Sequence, residues 1–158
     1  TRGILLDMAA YFQVGIVPEG TPYNRSAIEG AAHRQGITIR KGDVVIFHSG
    51  WMQLLGKENK RWISGHPGPG VEGAEYLADL GVVAVGADTP ALEVIPWEDP
   101  ERGAPVHQTL LAKNGVYVLE NIRTEELAQD KAYEFLFVIG QPKFVGAVQM
   151  GINPIAIR

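Results

Sequence analysis

The chain has 158 residues, 46% of them hydrophobic, which is the size of one domain with an ample core. Its net charge is -4 and its pI near 5.5, with no basic run or basic helix face, which argues against a nucleic-acid partner. There is no cysteine, so disulfides, thiolate metal ligands and cysteine nucleophiles are excluded together.

Residues 3–8, GILLDM, read as a short buried strand, and 13–24 as a loop rich in Gly and Pro. A helix is expected over 26–35, with Asn24 or Ser26 as cap and Gly36 as stop. A short extended piece at 37–40 and a turn at 41–43 lead to a strong buried strand at 44–48, VVIFH. Residues 51–69 read as irregular. A helix over 71–80 stops at Gly81, and a buried strand over 82–85 runs into Gly86-Ala87-Asp88-Thr89-Pro90. A polar loop at 96–105 precedes a helix over 105–113, with Pro105 in its first turn. Asn114-Gly115 supplies the left-handed turn that stops it. A strand at 116–119 follows, then a short helix at 124–130 capped by Thr124, with Glu125 and Glu126 in its first turn. Strands at 134–139, 144–148 and 155–157 close the chain. Helices alternating with buried strands indicate an α/β fold, and the run of strands in the last third indicates a mixed sheet with helices packed on it.

His107 and Glu120 are the leading candidate site residues. Both side chains ligate hard or borderline divalent metals, and each stands at an element terminus. In the first turn of a helix, His107 would feel the positive end of the macrodipole, which favours its neutral form. The plain alternative is a surface His and a strand-end Glu paired to an Arg. Asp88, at a strand end, is a second candidate; its alternative is a turn-forming Asp that caps backbone amides. His48 and Trp51 follow the VVIF strand. His48 could line a pocket and Trp51 could stack on a flat ligand, or both could be packing residues. Ser49 stands in no G-x-S-x-G elbow, which weakens a serine-hydrolase reading.

Gly68, Gly70 and Gly73 form a literal G-x-G-x-x-G, the basis for a nucleotide-binding reading. No clear strand precedes it and Pro69 removes an amide, so it is read as a chance match. Asn24-Arg25-Ser26 is likewise read as a chance glycosylation pattern. His33 reads as a surface residue, and Glu98, Asp99, Glu101 and Arg102 as a solvated loop. No signal peptide is recognisable and no apolar run approaches ~20 residues, so a cytoplasmic protein without a membrane partner is expected. The chain opens at Thr1 directly on Ile4-Leu5-Leu6, which leads us to expect a piece of a longer protein.

The segments TRGILLDMA, RKGDVVIFHSGWM, HPGPGVEGAEYLADLGVVAVGADTPALEVIPWED, PVHQTLLAKNGVYVLENI and YEFLFVIGQPKFVGAVQMGINPIAI, in this order, resemble the cyclase family that includes bacterial kynurenine formamidase (arylformamidase) and isatin hydrolase. The resemblance implies a swivelling β/β/α-type domain over residues 1–158, corresponding to the C-terminal two thirds of the family domain. It implies a hydrolase of amide or lactam bonds that uses zinc or manganese to activate water. His107 and Glu120 match the family's late His and Glu, at or next to the metal. Glu120 would ligate, and His107 would ligate or position the water. From the residue pattern alone, Trp51, His48 and Asp88 are the candidate substrate-binding residues. The family's main motif, His-x-Gly-Thr-His-x-Asp with a further His, precedes the TRG segment and is absent from this chain. Catalytic sites of this kind have about three protein ligands, so the chain alone is not expected to hold a metal tightly. The alternative function is a fragment or interaction module without metal. Absent neighbouring strands would leave open sheet edges, so a homo-oligomer is expected.

Overall fold

The computed structural model describes residues 1–141 and 143–158, so Pro142, inside the closing segment of the resemblance, lies outside the described residues. In chain order, β1 (Arg2–Asp7) leads into α1 (Met8–Phe12), and β2 (Pro22–Tyr23) into α2 (Arg25–Gln35). Then come β3 (Val44–His48), a tight single turn at Trp51–Leu54 and α3 (Asn59–Ser64). Next are β4 (Gly68–Pro69), α4 (Val71–Asp79) and β5 (Ala84–Ala87). A short helix α5 (Pro105–His107) widens into a π-type turn over Gln108–Lys113. β6 (Tyr117–Leu119), α6 (Glu125–Gln129), β7 (Glu134–Val138) and β8 (Ile155–Ile157) complete the chain.

Six strands form one mixed sheet in the order β6-β5-β3-β1-β7-β8. β6, β5, β3 and β1 are mutually parallel, β7 runs antiparallel to β1, and β8 antiparallel to β7. The apolar runs of β1 and β3 are buried because both faces of the sheet are covered. Ile4, Leu6, Val45, Phe47 and Val85 pack under the layer that holds α2 and α4. Leu5, Val44, Ile46 and Leu119 face the opposite layer, with Leu127, Phe135 and Phe137. The sequence-derived fold class therefore holds, as a mixed α/β sheet with helices on it. Among the described residues no helix is long and apolar enough to cross a membrane.

Several expected elements differ. β1 stops at Asp7, whose side chain accepts the Ala10 amide at 2.8 Å and starts α1 at Met8. The stretch read as irregular holds the turn at Trp51–Leu54, α3 and β4. Residues 37–40 form no strand. The strand expected at 82–85 begins two residues later, because pairing with β3 starts at Ala84 opposite Val44, while the Val83 amide is taken by the Asp43 carbonyl at 2.9 Å. Residues 144–148 form no strand. Val145 and Val148 lie fully in solvent, and Gly146 turns the chain at φ +81.

The caps also depart from expectation. Asn24 occupies the N-cap of α2 without capping it; its amide group donates to Glu98 at 2.7 Å and its Oδ1 accepts from Gly73 N at 3.3 Å. Glu98 is thus no idle loop residue: it also accepts from Val71 N at 3.1 Å and caps α4 from outside. Thr124 sits at the N-cap of α6 without capping it, because its hydroxyl is engaged by His48.

The three glycines of the G-x-G-x-x-G string are explained by close packing. A Cβ on Gly68 would lie 2.0 Å from the Leu92 carbonyl oxygen, one on Gly70 would meet Glu98 and Asn24, and one on Gly73 would lie 2.0 Å from the Tyr23 carbonyl oxygen. Outer strands β7 and β8 pair Leu136 with Ile157 and Val138 with Ile155, and all four side chains are exposed on one face.

Gly73→Ala separates packing from propensity. Alanine favours a helix by about 1 kcal/mol over glycine, yet the clash with Tyr23 is expected to lower stability by about 1–3 kcal/mol net. A urea midpoint equal to or above wild type would contradict the close approach.

Candidate functional site

The parallel strands β1, β3, β5 and β6 point their carboxyl ends to one side, and each end carries a polar side chain. These are Asp7 and His48 as last residues, and Asp88 and Glu120 one residue beyond. In open α/β sheets this rim is where ligands bind. Two clusters form on it. The Asn121 amide bonds the Thr89 carbonyl at 3.0 Å, which ties the Glu120 end to the Asp88 end.

The first cluster joins His107 and Glu120 and adds Glu93. His107 Nε2 lies 3.2 Å from Glu120 Oε1, and Nδ1 is in hydrogen-bond contact with Glu93 Oε1. Glu93 is 2% exposed and also accepts the backbone amides of Val106 at 3.3 Å and His107 at 3.4 Å. Its carboxylate therefore caps α5 and grips the ring of the same helix. Gln149 donates to the other oxygen of Glu120 at 3.2 Å. Sequence reasoning missed Glu93. Its signal was a lone carboxylate between the apolar Leu92 and Val94, which reads locally as a strand fragment.

The two carboxylates overturn one expectation. Hydrogen bonding to Glu120 and then to Glu93 pushes His107 up to about 9, against the opposing effect of burial. The imidazole is thus charged at neutral pH and donates from both nitrogens. Two adjacent carboxylates outweigh the dipole of the helix that carries His107.

His66 lies in the same region. Its backbone pairs in both directions with Ile95 at 2.9 Å, two residues beyond Glu93. The ring is buried; Nδ1 donates to the Pro67 carbonyl at 3.2 Å and Nε2 finds no partner among the described residues. Burial lowers its pKa, although the charges of Glu120 and Glu93 pull the other way.

The second cluster joins His48 and Asp88. Asp88, fully buried, accepts from Ser49 N at 3.0 Å, Ser49 Oγ at 2.5 Å and Trp51 N at 3.1 Å. Burial raises its pKa, opposed by the nearby His48 and these donors. His48 Nδ1 is 2.7 Å from Thr124 Oγ1 and 3.6 Å from Asp88 Oδ2. Asp88 does cap backbone amides, those of the turn after β3. Ser49 gives its hydroxyl to Asp88 rather than to a histidine, so no nucleophilic triad exists here. Trp51 does not join either cluster at a surface. Its indole is 0% exposed, packed on Leu54 and Trp62, and Nε1 donates to the Trp62 carbonyl at 3.2 Å.

The donor types of the first cluster fit a zinc or manganese ion. A histidine whose far nitrogen is held by a carboxylate, with Nε2 facing a second carboxylate, has the arrangement of a ligand with its outer support. The number of donors falls short: among the described residues no three His, Asp or Glu side chains are grouped to hold a metal ion.

A pH dependence follows for His107. Its folded pKa, about 9, exceeds the usual value of 6.5, so its stabilising contribution is complete below pH 6.5 and is lost as pH rises through about 9. The stability gap between wild type and His107→Gln, from urea unfolding, is expected to shrink steadily from neutral pH through that point. A constant gap would contradict the double ion pair.

Comparison with known proteins agrees with this architecture. The family model described as "Putative cyclase" matches residues 1–94. A solved structure described as a novel cyclase shares 30% identity at a TM-score of 0.85, covering 99% of this chain and 53% of that one. An isatin hydrolase bound to the product analogue thioisatinate superimposes at a TM-score of 0.78 with 18% identity, covering 99% of this chain and 59% of that one. A potential metal-dependent hydrolase with cyclase activity gives 0.68 and 21%, over 98% of this chain and 63% of that one. The chain thus spans between about half and two thirds of these structures' lengths. No curated protein matches. The sheet order, the rim and the match over more than half of the sequence lead to one conclusion: the chain belongs to this cyclase family.

Proposed function

We propose that the chain forms part of a metal-dependent hydrolase that opens an amide or lactam bond, of the arylformamidase or isatin hydrolase kind. The observation that carries this reading is the line Glu93–His107–Glu120 on the carboxyl rim of the parallel strands. His107 Nε2 and a Glu120 oxygen would hold a zinc or manganese ion, with further donors from residues beyond those described. Such an ion polarises a scissile carbonyl and lowers the pKa of a water to about 7. Glu93 keeps the His107 ring in place, and Gln149 steadies Glu120. His66 adds a buried nitrogen acceptor near the two carboxylates.

The second reading is a binding or interaction module of the same fold without metal. It is favoured by the absence of a three-donor group among the described residues and by the mutual closure of His107 and Glu120. Under either reading we propose self-association through the exposed Leu136, Val138, Ile155 and Ile157 face, in line with the open edge beside β8.

The full-length protein, supplied with Zn²⁺ or Mn²⁺, is expected to hydrolyse an aryl formamide or an isatin-type lactam. Glu120→Gln should reduce kcat/KM by more than about 100-fold. No bound metal and no turnover on either substrate would eliminate the hydrolase and leave the module.

A further inference from the structure

Among the described residues, five that are not glycine adopt a left-handed backbone, and three of them flank the first cluster. Leu92, at φ +54, immediately precedes Glu93. Ala104, at φ +47, is the N-cap of α5, which carries His107. Asn121, at φ +57, immediately follows Glu120. Asparagine tolerates this region, but a leucine or alanine there is strained, and such strain persists only where the surroundings enforce it. At Leu92 the enforcement is visible. The side chain is fully buried in the main core, and the Glu93 amide turns back onto the Ala91 carbonyl at 2.5 Å. This kink drives the Glu93 side chain inward to the start of α5.

Gly68 completes the placement. It lies against the Leu92 carbonyl and the Glu93 backbone with no room for a Cβ, so the strained segment is clamped from one side by the chain around β4. The same strand holds the segment by a hydrogen bond, the Val94 amide donating to the Pro69 carbonyl at 3.1 Å. A carboxylate at 2% exposure is costly unless donors surround it. Three do so: the amides of Val106 and His107, and the Nδ1–H of His107.

We propose that Glu93 is the positioning residue of the site: its buried carboxylate fixes the proton of His107 on Nδ1 and the ring against α5, so that Nε2 is the atom presented beside Glu120. The geometry stands in the protein as it is; only the identity of what meets Nε2 rests on the hydrolase reading above. Glu93 does not touch the reacting atoms. It acts through His107, in the way an outer carboxylate orients a ligating histidine. Length and charge are both required. Glutamine keeps the reach and loses the charge; aspartate keeps the charge and is one methylene too short to span from the kink at Leu92 to the ring.

The test uses the ¹⁵N-labelled full-length protein and Zn²⁺ alone. At alkaline pH, once the ring is singly protonated, imidazole NMR should show the remaining proton on Nδ1 in wild type. Glu93→Gln and Glu93→Asp should give mixed tautomers. On adding Zn²⁺ at neutral pH, Nε2 should lose its proton while Nδ1 keeps its own, and both variants should bind Zn²⁺ about 10–100-fold more weakly. A proton found on Nε2, or a mixture, in the metal-free wild type overturns the proposal and needs no variant that folds. So does unchanged Zn²⁺ affinity in folded Glu93→Gln. A wild type that binds no Zn²⁺ and hydrolyses nothing removes the hydrolase reading, while the metal-free spectrum still decides the role of Glu93.

Discussion

Two carboxylates withdrawn from water govern how the rim of this sheet is built. Asp88 and Glu93 are five residues apart and almost fully buried, and each must gather donors or stay uncharged. They solve this in the same way. Asp88 collects the amides of Ser49 and Trp51, the Ser49 hydroxyl, and the neighbourhood of His48. Glu93 collects the amides of Val106 and His107 and the His107 ring. Each carboxylate therefore ties down the start of a turn or helix, and Glu93 also orients the histidine on its helix. The loop after β5 carries both, so one short segment organises the chain after β3 and the chain before β6.

The consequence reaches His107. Between Glu93 and Glu120 it becomes a charged clasp at neutral pH, with both nitrogens in use. The clasp holds α5 to the end of β6, across the rim on which the parallel strands of this chain end in polar side chains. An arriving cation would have to displace a proton from Nε2, and the bond to Glu93 decides which nitrogen gives it up. Among the described residues no three His, Asp or Glu side chains are grouped to hold a metal ion, so the proposed function would need further donors beside His107 and Glu120.

What could be read from the sequence was what repeats or punctuates. β3 is a continuous apolar run, and α2 and α4 end at glycines with positive φ, so their existence was plain. His107 and Glu120 were visible because each closes or opens an element at a turn signal. Glu93 was not, since its flanks are apolar and its role depends on a kink at Leu92 that no local pattern announces. The residues 144–148 mislead in the opposite sense: they are apolar enough for a strand, but no neighbouring strand pairs with them and the side chains stay in solvent. Thr124 was expected to cap α6, yet its hydroxyl serves His48 across 76 residues of sequence, a contact only the folded sheet creates. The G-x-G-x-x-G string, read as a chance match, is accounted for by close packing against backbone at Gly68 and Gly73 and against the Glu98 and Asn24 side chains at Gly70.

The most direct test of the clasp is the number of protons released when Zn²⁺ is titrated into the full-length protein, read by calorimetry at neutral pH in two buffers of different ionisation enthalpy. The account predicts about one proton released per ion in wild type, and none attributable to this site in His107→Gln. Binding without proton release, or release no smaller in His107→Gln than in wild type, would contradict a protonated His107 held between Glu93 and Glu120.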